Sequence, residues 1–392
     1  MSISNLSHWK LRGRTLLPVV QGGMGIGISA HRLAGSVAAL GAMGTISSVD
    51  LRQHHPDLLE RSEGTRDKAT IDAVNLIALD REVAAALALA QGRGAVAVNV
   101  MKAVGLYAGY VRQACESGAH AIVMGAGLPL DLPDLAADFP DVALIPILSD
   151  ARGAGVVIRK WMRKKRLPDA IVIEHPRYAG GHLGATRLSE LDDPRFDFVP
   201  ALEGIFALLK DLGVERERIP VIVGGGIGTH EKLRAALAAG AAAVQVGTAF
   251  AVTEEGDAAL DFKRVLANAR AEDLVTFMSV AGLPARAVRT PWLSSYLKRE
   301  AALQRNAKAD PRRCVPGAGC LTVCGLRDGL GSAGQFCILT RLGYALRGDV
   351  KKGLFFRGSE PLPFGDAIRP VKELIDYLMW GAERSTPLVG AA

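Results

Sequence analysis

Short apolar runs alternate with helix-length, Ala- and Leu-rich segments from Leu17 to about Phe250. That alternation predicts βα units feeding a parallel sheet. Eight strands are expected, near residues 17–21 (LPVVQ), 42–46 (AMGTI), 95–100 (AVAVNV), 121–125 (AIVMG), 143–148 (ALIPIL), 170–174 (AIVIE), 219–225 (IPVIVGG) and 242–247 (AAVQVG). The runs are nearly continuous in Val, Ile and Ala, as in strands buried on both faces beneath helices. An open doubly wound sheet would show the same local pattern. A (β/α)8 TIM barrel is favoured because Gly, Asn, Ser and His gather just after the strand ends, where a barrel carries its chemistry.

Two regions depart from the alternation. The stretch LRQHHPDLLERSEGTRDKATIDAV is polar at first and becomes helical toward Ile77–Ala90, an insertion expected to form a flap or an added helix pair. After Phe250 the strand pattern stops, and residues 251–304 read as helices interrupted by GLPARAVRTPW. A charged link, KREAALQRNAKADPRR, then leads into a cysteine-bearing tail whose last helix, around Val371–Trp380, is expected to pack back on the barrel. The expected organisation is a barrel over 1–255, a helical segment over 256–304 and a Cys-rich extension over 305–392.

Composition agrees with an α/β fold: 49% apolar residues, only 5% aromatic, and 44 glycines among 392 residues. No apolar run approaches the roughly 20 residues of a membrane span, and MSISNLSHWKLRGR lacks the apolar core of a signal peptide. A cytoplasmic protein without membrane contact is therefore expected, and a homodimer is compatible with it. The formal charge of +7 suits a phosphorylated cofactor or an anionic small-molecule substrate, and would also tolerate RNA. Part of that charge is local. Arg159, Lys160, Arg163, Lys164, Lys165 and Arg166 accompany Val157, Ile158, Trp161 and Met162 in a predicted helix, where a solvated outer face is the simpler reading and nucleic-acid or membrane contact the rival.

The densest chemistry lies in VIVGGGIGTHEKLRAALAAGAAAVQVGTAF, residues 221–250. One strand ends in Gly224, Gly225 and Gly226, and the next ends in Gly247, Thr248 and Ala249. Glycine turns after the last two strands of a barrel let backbone N–H groups approach an anion, the usual barrel phosphate site. Tight βα turns without a ligand are the simpler alternative.

PVVQGGMGIGIS at 18–29, AGGHLGA at 179–185 and the GGGIG…GTAF pair together resemble the nitronate monooxygenase (2-nitropropane dioxygenase) family and its FMN-dependent enoyl reductase relatives, over roughly residues 15–290. The resemblance implies FMN at the C-terminal mouth of a barrel. Gly22, Gly23 and Met24 would lie against the isoalloxazine ring with Gln21 nearby, and Asn99 would hydrogen-bond the ring. Gly224, Gly225, Gly226, Gly247 and Thr248 would form the phosphate turns. Met124, Gly125, Ala126 and Ser149 would line the pocket. His182 is the candidate catalytic residue: it follows a strand, Gly180, Gly181 and Gly184 let its loop close over a planar ligand, and imidazole titrates near neutrality. Glu174 would orient an imidazole or bind the ribityl chain, and His175 would sit behind the site. GGGIGTHE departs from the many members that carry an acidic residue near the last glycine, which leaves the phosphate contacts open.

Cys115 stands alone, while Cys314, Cys320, Cys324 and Cys337 follow the spacing Cys-x5-Cys-x3-Cys-x12-Cys. Clustered thiolates in a cytoplasmic chain suit an iron–sulfur cluster, and the intervals resemble those of iron–sulfur flavoproteins of the dienoyl-CoA reductase type. Structural zinc and plain thiols are the rivals.

The leading functional reading is an FMN oxidoreductase that converts nitronates or nitroalkanes with O2. The alternative is an NAD(P)H-dependent FMN reductase, with or without a 4Fe-4S cluster, acting on an enoyl thioester, quinone or other acceptor. An RNA-acting flavoprotein and a flavin-binding electron carrier are readings of other classes.

Overall fold

The computed structural model describes residues 8–314 and 318–381. Eight parallel strands close into a barrel: β3 (Val19–Gln21), β4 (Met43–Ser47), β5 (Ala95–Met101), β6 (Ala121–Gly125), β7 (Ala143–Leu148), β8 (Ile171–Glu174), β10 (Val221–Gly224) and β11 (Ala243–Val246). Strand order follows the chain, and β11 pairs with β3 to complete the ring. Each of the eight expected runs is one of these strands. The barrel interior is small and apolar, with Val20, Met43, Ala97, Val123, Ile145, Val172 and Ile222 in one buried cluster. An antiparallel hairpin, β1 (Trp9–Leu11) and β2 (Arg14–Leu16), adds Trp9, Leu11 and Leu16 to that cluster and so plugs the end away from the strand C-termini.

The insertion forms a helix pair, Pro56–Ser62 and Lys68–Ala90. The longer helix packs Val74, Ala78, Val83 and Ala86 into the outer core against the helix His31–Ala39. In the basic stretch the helix Ala151–Met162 buries Val157, Ile158 and Trp161. Beyond that helix Lys164 pairs with Asp134, and Arg166 lies 2.7 Å from Asp169, so part of the local positive charge is neutralised.

The reading of residues 251–304 as helical needs correction. A helix does run over Leu260–Asn268, but β12 (Leu274–Met278) and β13 (Pro284–Val288) form an antiparallel hairpin outside the barrel. Its tip turns on Gly282, whose φ of +70° suits glycine. All five residues of β13 are buried, and the strand pairs on its other edge with β9 (Gly181–His182), matching Ala285 to His182 and Arg286 to Gly181. An Ala- and Arg-bearing segment such as PARAV has no strong strand propensity of its own; burial and pairing decide it.

The tail does return to the barrel. The helix Val371–Trp380 buries Val371, Leu374, Ile375 and Leu378 in the outer core, and Leu321 bridges Val104 in the loop after β5. No helix among the described residues is long and apolar enough to cross a membrane.

Gly44 in β4 is where the helix His31–Ala39 lies closest to the barrel; a Cβ there would sit 1.9 Å from the Ala34 carbonyl oxygen. Gly44→Ala is expected to cost about 1–3 kcal/mol by forcing helix and strand apart. A denaturation midpoint unchanged from the parent would contradict that packing.

Candidate active site

At the C-terminal ends of the barrel strands lies a cavity of ≈ 630 Å³, roofed by loops and by the C-terminal extension. Gly22, Gly23, Met24, Asn99, Gly125, Glu174, Gly181, His182, Gly225, Gly226, Gly247 and Thr248 all line it, as do Ala126 and Ser149. Residues from seven different barrel-strand ends are thus gathered round one space.

Two expected cofactor residues lie elsewhere. Gln21 is fully buried, and its side chain is consumed by the barrel wall: Oε1 accepts from the Thr45 amide at 2.8 Å and Nε2 donates to the Thr45 carbonyl at 3.1 Å. Gly224 ends β10 beneath the lining, paired with Glu174 and Gln245. Met124 is likewise in the core and not in the cavity wall. Gln245, absent from the expected set, lines the cavity against Gly22, which a Cβ would bring within 3.1 Å of its side chain.

His182 is held by backbone pairing. Its partner in the hairpin is Ala285, and the next amide, Leu183, donates to the Pro284 carbonyl at 2.8 Å. The imidazole lies 5.7 Å from the Phe356 ring, and its buried Nε2 has no hydrogen-bond partner among the described residues. Native structures seldom leave such an atom unpaired, so a ligand atom is its natural partner. His175, by contrast, is satisfied behind the wall, with Nε2 3.0 Å from Asp197 and Nδ1 accepting from the Arg177 amide at 3.2 Å.

Burial reverses the expected acid–base balance. Desolvation lowers the His182 pKa to about 4, so the imidazole is neutral at pH 7. The same effect raises the Glu174 carboxyl to about 7. The side chain poised near neutrality is therefore Glu174, not His182.

The lining fits a phosphate-bearing planar cofactor such as FMN. Gly23 lets the chain cross the mouth directly over Asn99; a Cβ would lie 2.3 Å from that of Asn99. Gly225 and Gly226 have φ of +101° and +77°, and their amides donate to no protein acceptor among the described residues. Two free amides in a left-handed turn form an anion nest.

Iron–sulfur ligation finds no support here. All five cysteines are free thiols, and among the described residues no group of three or more His, Cys, Asp or Glu side chains is placed to hold a metal ion. Cys320, Cys324 and Cys337 pack among apolar side chains, and the Cys314 carbonyl accepts from Arg66 at 2.9 Å. Cys320 and Cys337 join an apolar cluster with Ile26 and Leu339, Cys324 packs with Phe336 and its neighbours, and Cys337 Sγ accepts from Thr340 Oγ1 at 3.2 Å. Cys320 lines the cavity, where burial above all keeps its thiol protonated.

The extension contributes wall residues that sequence reasoning did not single out. Leu321, Ile338, Leu339, Leu342, Leu354 and Phe356 make a continuous apolar surface. Arg357 and Gly358 follow it onto the phosphate turns. The FF pair before a Gly-Ser turn was the available signal, but nothing local says which cavity it faces.

A scan against protein families matches residues 10–381 to the family described as nitronate monooxygenase. Among curated relatives, a nitronate monooxygenase of Pseudomonas aeruginosa is 36% identical over 118 residues, covering 30% of this chain and 31% of its own length. A probable nitronate monooxygenase of Staphylococcus saprophyticus is 30% identical over 123 residues, covering 31% and 33%. The chain thus aligns with about a third of the length of these relatives. Among solved structures, FabK from Thermotoga maritima superposes with a TM-score of 0.61 at 22% identity, covering 92% of this chain and 91% of that one. A nitroalkane oxidase from Streptomyces ansochromogenes gives 0.60 at 20% identity, covering 92% and 94%. At these identities the two structures establish the shared barrel fold.

Gly23→Ala is expected to weaken FMN binding at least about tenfold, since overpacking of 1–3 kcal/mol falls on a segment placed against the ligand. Fluorescence titration of the apoprotein would read it; affinity equal to the parent's would show that this segment does not face the flavin.

Proposed function

The chain belongs to the nitronate monooxygenase family, a family of FMN-dependent enzymes, and we propose that it is an FMN-dependent oxidoreductase that oxidises alkyl nitronates with O2. The observation that carries this reading is the unpartnered, neutral imidazole of His182 lining a largely apolar cavity. Bound FMN would supply the electron acceptor and the reaction with O2 by which a nitronate becomes a carbonyl compound and nitrite.

The residues divide the work. Gly22–Met24 and Asn99 would hold the planar ring, with Gly225, Gly226, Gly247 and Thr248 at the phosphate. Nε2 of His182 would either donate to a nitro-group oxygen or accept the proton from the carbon beside it. A base of pKa about 4 is poorly matched to removing a carbon-bound proton near neutrality. An already deprotonated nitronate needs no such transfer, so the nitronate is the preferred form of substrate. The apolar wall of the extension would take its alkyl group and exclude water.

That wall also favours a second reading, in which NAD(P)H reduces the flavin and an acceptor with an apolar chain is reduced in turn. Bleaching of the flavin absorbance by NAD(P)H under anaerobic conditions would select it; indifference to nucleotide favours nitronate oxidation.

His182→Ala is expected to keep FMN bound and to lose turnover by about 10² or more, the usual scale for a proton-handling side chain. Unchanged turnover would remove His182 from the reaction. For nitronate at constant ionic strength, kcat/KM is expected to fall as pH rises through about 7, because Glu174 then becomes a carboxylate beside an anionic substrate. Glu174→Gln should flatten that limb, and a profile with the same descending limb in the variant would assign it to another group.

A further inference from the structure

We propose that Arg357, carried by the C-terminal extension, is the counter-cation of the cofactor phosphate and makes the site prefer FMN to riboflavin. The proposal rests on the reading of the cavity as an FMN site, not on the identity of the substrate.

The backbone fixes where Arg357 lies. The Gly358 amide donates to Thr248 Oγ1 at 3.0 Å, and the Ser359 amide to the Tyr178 carbonyl at 3.1 Å. Tyr178 in turn backs Gly226, where a Cβ would come within 2.8 Å of its ring. On the other side Lys232 Nζ donates to the Gly226 carbonyl at 3.1 Å and pairs with Glu360. The segment from Arg357 to Glu360 is thus a strap tied across both phosphate turns.

The charge on that strap is unbalanced. Arg357 is 4% exposed, yet its acceptors are all carbonyls: Leu266 at 2.9 Å from Nε, and Gly358 at 2.8 Å and Glu360 at 3.3 Å from Nη1. Nη2 donates to no protein acceptor, and no carboxylate lies within 4.0 Å of the guanidinium, among the described residues. The other charges lining the cavity are accounted for. Arg195 meets Glu190 at 3.3 Å and Asp193 at 3.5 Å, Glu360 is paired with Lys232, and Glu174 titrates only near 7. Burial pushes the Arg357 guanidinium below its ordinary pKa, as expected where no anion offsets desolvation. A buried cation is retained when an opposite charge meets it, and a planar guanidinium with free N–H groups is shaped for phosphate oxygens. The free amides of Gly225 and Gly226 place that anion on the turns to which the strap is tied.

The test compares two ligands that differ only in the phosphate. Dissociation constants of FMN and riboflavin are measured by flavin fluorescence for apoprotein of the parent, Arg357→Met and Arg357→Lys. Arg357→Met is expected to weaken FMN by about tenfold or more, the equivalent of one charge-assisted hydrogen bond, and to leave riboflavin within about twofold. Arg357→Lys should retain much of the FMN preference. Equal losses for both ligands in Arg357→Met would mean that Arg357 only organises the strap, and would overturn the proposal, as would a parent that binds FMN and riboflavin equally. A parent that binds neither flavin would instead remove the FMN reading itself. Should Arg357→Met fail to fold, a crystal structure of the parent holoenzyme decides: guanidinium nitrogen within about 4 Å of a phosphate oxygen supports the proposal, and a larger gap overturns it.

Discussion

The barrel closes at a seam that the backbone alone does not complete. β3 and β4 share one register pair, Val20 with Met43, where the neighbouring strands β4 and β5 share five. The remaining rungs come from the carboxamide of Gln21, which offers Thr45 an acceptor and a donor in the manner of a peptide group. With the seam held by a side chain, the chain after Gln21 is free to leave the wall. It turns at once across the mouth, so that Gly22, Gly23 and Met24 become a surface facing the cavity instead of a fourth rung. Barrel closure and the ligand-facing segment therefore depend on the same residue, although Gln21 itself never reaches the cavity.

What happens inside that mouth is governed by exclusion of water. His182 and Glu174 are ordinary titratable groups shifted in opposite senses by one cause, desolvation, so that both are predominantly or partly neutral near pH 7. The site is prepared for an anion or a neutral substrate, and not for one that needs a strong base. The backbone pairing of His182 with Ala285 fixes the imidazole without spending its Nε2, which stays available to a ligand.

The extension is part of this arrangement and not an appendage to it. It is anchored by Leu321 bridging Val104, by the Phe355 carbonyl accepting from Val288 at 2.8 Å, and by the helix Val371–Trp380 in the outer core. Those anchors set an apolar wall beside His182 and carry Arg357 to the glycine turns. Cys320, Cys324 and Cys337 serve there as small, partly buried apolar side chains.

The sequence alone determined the eight parallel strands and their helical cover, and the residues after those strands favoured a barrel over an open sheet. Eight apolar runs of strand length, separated by helix-length segments, can bury both faces only in a parallel sheet under helices, and the glycines after those runs mark the mouth. It also located the part of the lining at the strand ends, because residues that directly follow barrel strands converge whatever the helices do. Tertiary structure decided the rest, for reasons that no local pattern carries. Gln21 turned from ligand to wall because its acceptor and donor lie on the next strand. The PARAV segment became a strand because β9 and β12 flank it. His182 and Glu174 exchanged titration ranges because burial, which acts on charge and not on residue type, is a property of the assembled cavity. Cys320, Cys324 and Cys337 of the tail sit among apolar side chains of the extension, surroundings that the fold sets and their spacing does not.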